Sequence, residues 1–410
     1  MEGRKQIAVI GGDARQAAAG RALARAGYTV CGAEQLALAD YILLPLPLDE
    51  TRTPLAELLR AAREPGENTL LSPLSVALAL SMAANGAAED TLAEFEALLG
   101  ADVEALNANA ASLLADYAAL GGSTECSIAD SLWLDGRLEA NELFLSRCTA
   151  FYGARLYQAD LDTDGARRAV NNWVGEVTRG LIPEVLAETP APETVLLLVN
   201  ALYLKNAWAS EFDPLDTRPG DFTAADGSEA ETDFLSNGLR AEQYFAAEGA
   251  AGVVLPYDDG RLGFLAVLPD GELDAWLETL DGDTLPALLA AAEEERVLLR
   301  LPKFEAEWGG ELSDALAAMG LETAFDSGRA DFSALGTAPD GPLYVSSVVH
   351  KARIEVNEKG TEAAAATVVE VEDAAAPTDY RELVLDRPFC YAVVDLERGV
   401  PLFLGTFERP

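Results

Sequence analysis

Near the C-terminus, residues 358–377 form a run of small and β-branched residues that alternates between two faces with a period of two. One face carries acidic side chains among small apolar ones, and the other carries only small or β-branched residues: Thr361, Ala363, Ala365, Thr367, Val369 and Val371. This alternation predicts a β-strand with one buried face. Because alanine has a weak strand propensity, the segment needs neighbouring strands to hold it. It could slide between existing strands; the alternative is a flexible acidic linker.

Apolar runs elsewhere predict helices and strands that interleave irregularly. Ser72 and Pro73 precede a long apolar run, which predicts a buried helix with proline in its first turn. Residues 129–136 and 194–208 predict strands, and the second of these is apolar on both faces. The elements do not follow the strict alternation of a parallel α/β protein. We therefore predict an α+β fold over residues 53–410.

Residues 1–50 have a different pattern. Their apolar runs predict the beginning of a βαβ nucleotide-binding fold, with strands at 7–12, 28–32 and 41–48 and a helix at 13–26. The phosphate-binding loop is incomplete, because the third glycine of GxGxxG is missing and Asp13 would repel a pyrophosphate. The segments IAVIGGDARQ and DYILLPLP resemble the N-terminal segment of dipicolinate synthase, an enzyme of spore-forming bacteria. We expect a partial Rossmann-like segment, too short to close a Rossmann sheet; a dinucleotide-binding synthase fragment is a remote alternative function.

The start of the alternating run matches a known pattern. Glu358, Lys359, Gly360, Thr361 and Glu362, followed by four alanines, match the hinge of inhibitory serpins, the serine protease inhibitors. Further blocks resemble the same family, and one of them resembles the helix that lies across its central sheet: 66–91, 171–186, 194–208 and 299–326. The resemblance implies a serpin domain over residues 53–410, in which helices surround three β-sheets and a reactive-centre loop is exposed.

The resemblance also implies a mechanism and a set of residues. A target serine protease would attack the loop as a suicide substrate, and the cut strand would enter the central sheet before the covalent acyl-enzyme hydrolyses. The hinge residues carried over are Glu358, Gly360, Thr361, Glu362, Ala363, Ala364, Ala365 and Ala366. The family's spacing places the reactive bond between Ala374 and Ala375, which suits elastase- or subtilisin-like proteases and excludes trypsin-like ones. If the register is one residue shorter, cleavage follows Asp373 and the target is an aspartate-specific protease.

His350 is the only histidine of the chain. One interpretation is a nucleophilic site with Cys390 or a serine. A buried histidine whose hydrogen bonds are satisfied is favoured. The resemblance places His350 beneath the centre of the sheet, in a cluster called the shutter, with Ser72, Ser75 and Asn200 as partners. This cluster would hold the sheet closed until the loop arrives.

Composition excludes several classes of function. The chain has 410 residues, half of them hydrophobic, which is enough for a large core. Its formal net charge of -40 disfavours binding to nucleic acids or anionic membranes, and no apolar run approaches a membrane span. No Walker, HExxH or GxSxG motif is present, so we expect neither enzymatic activity nor a cofactor. Residues 160–165 match only the opening of a calcium-binding loop, which favours a helix-capping turn over a metal site.

Cysteine spacing and the first residues bear on the compartment. The four cysteines lack a CxxC pair, which predicts free thiols: Cys31, Cys126, Cys148 and Cys390. The N-terminus lacks the apolar region of a secretory signal. Since serpins are most often secreted, we expect an extracellular protein, with a cytoplasmic one as the alternative. We expect a monomer that acts on a protease; a non-inhibitory serpin or a passive protease substrate is the alternative function.

Overall fold

A computed structural model describes residues 6–9, 29–31, 41–43, 54–339, 341–361 and 380–410. At the N-terminus, β1 (Gln6–Val9), β2 (Thr29–Cys31) and β3 (Tyr41–Leu43) form a parallel sheet in the order β2-β1-β3. A βαβ unit requires parallel pairing of this kind. The residues between these strands lie outside the described part, so the Rossmann-like segment over residues 1–50 stays a prediction.

Helices cover the strands of the described residues beyond 53. The α-helices are α1 (Pro54–Ala62), α2 (Pro73–Ala84), α3 (Glu89–Leu99), α4 (Val103–Ala118), α5 (Glu142–Tyr152), α6 (Asp164–Val177), α7 (Leu273–Leu277), α8 (Thr284–Ala291) and α9 (Ser313–Ala318), and Thr323–Phe325 form a 3₁₀-helix. The α2 helix is apolar all round, as expected of a buried helix, and it begins with Pro73 after the N-cap Ser72. None of the helices in the described part of the chain is long and apolar enough to span a membrane.

The strands of this region are short to medium in length. They are β4 (Thr69–Leu71), β5 (Glu125–Leu134), β6 (Glu139–Ala140), β7 (Arg155–Gln158), β8 (Leu196–Ala207), β9 (Arg218–Thr223), β10 (Glu229–Leu235), β11 (Leu239–Ala247), β12 (Ala250–Pro256), β13 (Leu262–Pro269), β14 (Glu293–Pro302), β15 (Phe304–Glu311), β16 (Gly336–Thr337), β17 (Val349–Asn357), β18 (Gly360–Thr361), β19 (Arg381–Val384), β20 (Phe389–Asp395) and β21 (Val400–Phe407). The strands predicted at 129–136 and 194–208 are thereby confirmed as parts of β5 and as β8.

Two large sheets and a small ribbon contain these strands. The six-stranded sheet has the order β15-β17-β18-β8-β5-β7, and β6 pairs with β16 in the ribbon. The ten-stranded sheet has the order β4-β21-β20-β13-β12-β11-β14-β10-β9, with β19 paired to β14. Because β14 pairs with β11 along one part and with β10 at its end, it joins two groups of strands. With the six-stranded sheet, these are the three strand groups that the serpin resemblance implies.

Helices cover both faces of the six-stranded sheet. On one face, α2 packs against β8 in the main core. On the other face, α6 packs through a separate apolar cluster that includes Trp133, Val170, Trp173 and Val174. The sheet is thus buried on both sides, as its apolar central strands require.

The helix across this sheet begins and ends earlier than the sequence block suggested. Thr163 caps its N-terminus by accepting a hydrogen bond from the backbone N–H of Ala166, which confirms the helix-capping turn predicted at 160–165. The helix ends at Val177, because the Thr178 hydroxyl bonds to the Val174 carbonyl and accepts from the Ile182 N–H. A single helix over 171–186 is therefore wrong at both ends.

Candidate functional site

The hinge enters the six-stranded sheet at its first residues. After β17 ends at Asn357, the chain turns back and Gly360 and Thr361 form β18. This short strand is antiparallel to β17 on one side and to β8 on the other. Beyond β18, no ladder joins β17 to β8 among the described residues. We call the space between these two strands, from Thr361 to the level of His350, the insertion cleft.

Only glycine fits at the first position of β18. Gly360 has φ +146°, a backbone conformation that side chains rarely adopt. A Cβ at this position would overlap the carbonyl oxygen of Asn206 on β8. Glycine therefore allows the hinge backbone to approach β8 closely enough to pair with it.

The next residue is held by a buried aromatic pair. Thr361 is 1% exposed, and its hydroxyl lies 2.6 Å from the hydroxyl of Tyr257. The ring of Tyr257 stacks on Trp208 with 4.8 Å between ring centroids and 6° between planes. Trp208 in turn donates from Nε1 to the Asn357 carbonyl at 2.9 Å and from its backbone N–H to the Lys359 carbonyl at 3.0 Å. The turn between β17 and β18 is thus fixed from both sides.

Glu358 ties the same turn to the ten-stranded sheet. Its carboxylate forms an ion pair with Lys303 Nζ at 3.0 Å and accepts a hydrogen bond from the Thr217 hydroxyl at 3.0 Å. Its backbone carbonyl accepts from the Phe212 N–H at 2.7 Å. Burial by itself would raise the pKa of Glu358, but the hydrogen bonds from its own backbone, Lys303 and Thr217 outweigh burial and lower it. The carboxylate therefore stays charged and anchors the hinge.

Three of the four predicted shutter residues meet beneath the sheet. The backbone N–H of Ser72 donates to Nε2 of His350 at 2.9 Å, and the hydroxyls of Ser72 and Ser75 are 3.0 Å apart. Burial lowers the pKa of His350 to about 4, so its ring is neutral. An imidazole that accepts from a backbone N–H and stays neutral has the structural role that the sequence favoured over a nucleophilic one.

Asn200 does not bond to His350, and in this respect the prediction was wrong. Its side-chain amide donates to Asp130 at 2.9 Å instead. Asp130 and Asn200 face each other directly in the ladder between β5 and β8. Cross-strand neighbours of this kind lie closer than a residue across the insertion cleft, so Asp130 takes the hydrogen bond.

The remaining predicted site residues are outside the described part of the chain: Glu362, Ala363, Ala364, Ala365, Ala366, Ala374 and Ala375. The chain leaves the sheet at Thr361 and is described again from Tyr380, just before β19. Strand β19 runs parallel to β14 in the ten-stranded sheet. The predicted loop therefore starts from one sheet and ends in another.

The cysteines offer no nucleophile within the described side chains. Cys126, Cys148 and Cys390 are free, and burial raises the pKa of each to about 12. Thiols that stay protonated are weak nucleophiles. The interpretation of His350 and Cys390 as a nucleophilic pair therefore has no support from their protonation states.

Sequence analysis missed Tyr257, Lys303 and Asp130. Tyr257 and Thr361 are separated by 104 positions, and Asp130 and Asn200 by 70. Each of these residues lies in an ordinary strand or turn pattern that carries no chemical motif. The buried position of Asp130 within an apolar stretch was the one available signal, because an aspartate is rarely buried without a partner.

Known proteins share this architecture. The sequence profile of the serpin family (serine protease inhibitor) matches residues 54–410. Serpin-ZXA from Oryza sativa subsp. japonica is 35% identical over 363 residues, which cover 84% of this chain and 91% of that protein. The crystal structure of tengpin, a thermophilic serpin, in the native state has a TM-score of 0.81 at 32% identity and covers 87% of this chain and 92% of its own. Tengpin in the latent state has a TM-score of 0.75 at 30% identity, covering 86% of this chain and 94% of its own.

The matched region begins at residue 54, and the relatives found are serpins. The resemblance of residues 1–50 to dipicolinate synthase is therefore not borne out. Serpins are protease inhibitors and not enzymes, in agreement with the absence of catalytic motifs from the sequence. The hinge strand, the shutter contacts and the profile over residues 54–410 lead to one conclusion: this chain belongs to the serpin family.

Proposed function

We propose that this protein is an inhibitory serpin, a monomer that traps a serine protease as a covalent acyl complex. The observation that carries the proposal is β18, the two-residue strand between β17 and β8. A strand that has begun to pair on both sides supplies a template for the residues that follow it. After cleavage of the loop, those residues continue along the insertion cleft and complete the sheet.

The register of β18 supports this path. Thr361 pairs with Asn206 on β8 and with Val356 on β17. Continued in the same register, the loop would bring Thr367 opposite both Asn200 and His350. Every second residue between them, Ala363 and Ala365, would face the same side as the buried Thr361. Small side chains on this face favour insertion, because they displace little of the packed core beneath the sheet.

We further propose that the reactive bond joins Ala374 to Ala375. A small residue before the cleaved bond suits proteases with shallow primary pockets, such as elastase- and subtilisin-like enzymes. Cleavage after Asp373 by an aspartate-specific protease is the alternative. Mass spectrometry of the released C-terminal peptide distinguishes the two bonds.

The test is incubation with elastase or subtilisin, followed by denaturing electrophoresis. We expect a complex of protease and inhibitor that survives boiling in detergent, and no such complex with trypsin. The variant Ala374→Arg should reverse this preference, since it introduces the residue that trypsin requires. Cleavage without any stable complex would show a non-inhibitory serpin or a passive substrate instead.

We propose an extracellular site of action, because serpins are most often secreted. Fractionation of the cells that make the protein tests this directly. Recovery of the full-length chain from the cytoplasm alone would favour the cytoplasmic alternative.

A further inference from the structure

A buried carboxylate lies in the six-stranded sheet beside the insertion cleft. Asp130 is 2% exposed and sits opposite Asn200 in the antiparallel ladder between β5 and β8. Both residues are on the sheet face that packs on the main core, in the same alternation as Leu132 and Leu202. Because β8 is also the strand that borders the insertion cleft, this pair joins the edge of the cleft to the strand behind it.

The two side chains are one proton short of a complete set of hydrogen bonds. Asn200 Nδ2 donates to Asp130 Oδ1 at 2.9 Å. The other oxygen of each side chain, Asp130 Oδ2 and Asn200 Oδ1, is inaccessible to solvent and has no hydrogen-bond partner among the described residues. An ionised carboxylate can only accept, so it cannot serve the Asn200 oxygen. A proton on Oδ2 turns that oxygen into a donor, and Asn200 Oδ1 is the unpaired acceptor on the facing side chain.

The surroundings favour the neutral acid. On the α5 helix, the Cys148 thiol and the Tyr152 hydroxyl face Asp130, and burial raises the pKa of both, so both are neutral. The α2 helix, packed on β8, has no titratable side chain. On α4, which packs on β5, Tyr117 is bonded to Asp395 and Asp116 is paired with Arg398, while Glu104 is paired with Arg147. None of these groups places a cation against Asp130.

Burial therefore raises the pKa of Asp130 to about 7, and the hydrogen bond from Asn200 acts in the opposite direction. The result agrees with the hydrogen-bond count, since each oxygen without a partner makes the charged form costlier.

We propose that Asp130 and Asn200 form a buried proton-binding site, a carboxylic acid–amide pair that is closed under mildly acidic conditions and opened by loss of the proton in mildly alkaline ones. The proton determines how firmly β8 is held to β5. The site follows from the fold alone and does not require that the protein inhibit a protease.

The sign of the effect on stability follows from proton binding. The folded chain holds the Asp130 proton more tightly than the unfolded chain, whose aspartate titrates near 3.8. The contribution of this pair is therefore lost as pH rises toward and through about 7. His350 acts in the opposite direction: its pKa is lowered from 6.5 to about 4, so its contribution is lost as pH falls through that range. A variant of Asp130 separates the two.

Asp130→Asn is that variant, because an amide at this position can accept from and donate to Asn200 at every pH. We expect it to match the wild type in thermal unfolding at about pH 5 and to exceed it at about pH 8, with a relative gain in the folded population of at least about tenfold. Asp135→Asn is the matched control. Asp135 is also buried, but Arg137 lowers its pKa to about 2, so its loss should destabilise the protein equally at both pH values.

An unchanged difference between Asp130→Asn and the wild type across this range would overturn the proposal. If the variant does not fold, infrared spectra of the wild type decide the question. Isotope labelling of aspartate should reveal a protonated carboxyl band that is present at about pH 5 and lost by about pH 9. Absence of this band at the lower pH would also overturn the proposal.

Discussion

Single buried polar contacts determine how the hinge is held. Thr361 is buried with one polar atom, and the Tyr257 hydroxyl is its partner. A buried hydroxyl without a partner costs about 1–3 kcal/mol. The contact therefore favours the state in which β18 lies in the sheet over one in which Thr361 is solvated.

Tyr257→Phe should weaken the hinge without altering the packing of the ring on Trp208. We expect a loss of about 1–2 kcal/mol in the free energy of unfolding and faster hydrogen exchange in the hinge peptide, because Thr361 loses its partner. Chemical denaturation and exchange mass spectrometry measure the two effects.

Tyr391→Phe is the control for this change. Tyr391 is equally buried, but its hydroxyl has no hydrogen-bond partner among the described residues. Removing that hydroxyl should leave stability unchanged or raise it. If both variants behave alike, the contact between Tyr257 and Thr361 does not hold the hinge.

At the level of elements, β18 shows that a strand can begin without being complete. Its two residues pair on both sides, while the turn before it is fixed by Trp208, Phe212 and Lys303. The period-two pattern of the sequence predicted the strand and its buried face correctly at Thr361. It also assigned a helix over 171–186 whose ends were wrong, because Thr163 and Thr178 set them through local hydrogen bonds.

Thr361→Arg should abolish inhibition and leave cleavage intact. The arginine would place an unpaired cation against Tyr257 in a buried site, which is costly, so the hinge would stay outside the sheet. We expect the variant to be cut by elastase as a substrate, with no detergent-stable complex on denaturing gels.

Lys359→Arg is the matched control, since it introduces the same side chain at a neighbouring position that already carries a positive charge. This variant should inhibit like the wild type. A stable complex formed by Thr361→Arg would contradict the role of the buried hinge face.

For the whole molecule, the proposed mechanism requires that the intact form be less stable than the cleaved one. Insertion adds a strand that pairs with both β17 and β8, and each ladder hydrogen bond contributes about 1 kcal/mol. A solved relative, tengpin, has been crystallised in a native and a latent state, and this chain has the higher TM-score with the native one.

Cleavage within residues 362–379 should therefore raise the melting temperature markedly, as measured by calorimetry before and after limited proteolysis. The cleaved Thr361→Arg protein should show no such gain. Unchanged melting of the cleaved wild type would rule out insertion as the source of inhibition.

The sequence by itself determined the α+β class, the buried α2 helix, the strands β5 and β8 and the alternating hinge. These depend on periodicity and on local residue preferences, which neighbouring positions supply. Only the tertiary structure decided which side chains meet: Asn200 with Asp130 instead of His350, and Tyr257 with Thr361. Periodicity places a residue on a face of a sheet, but its partner depends on the register between strands that lie far apart in the chain.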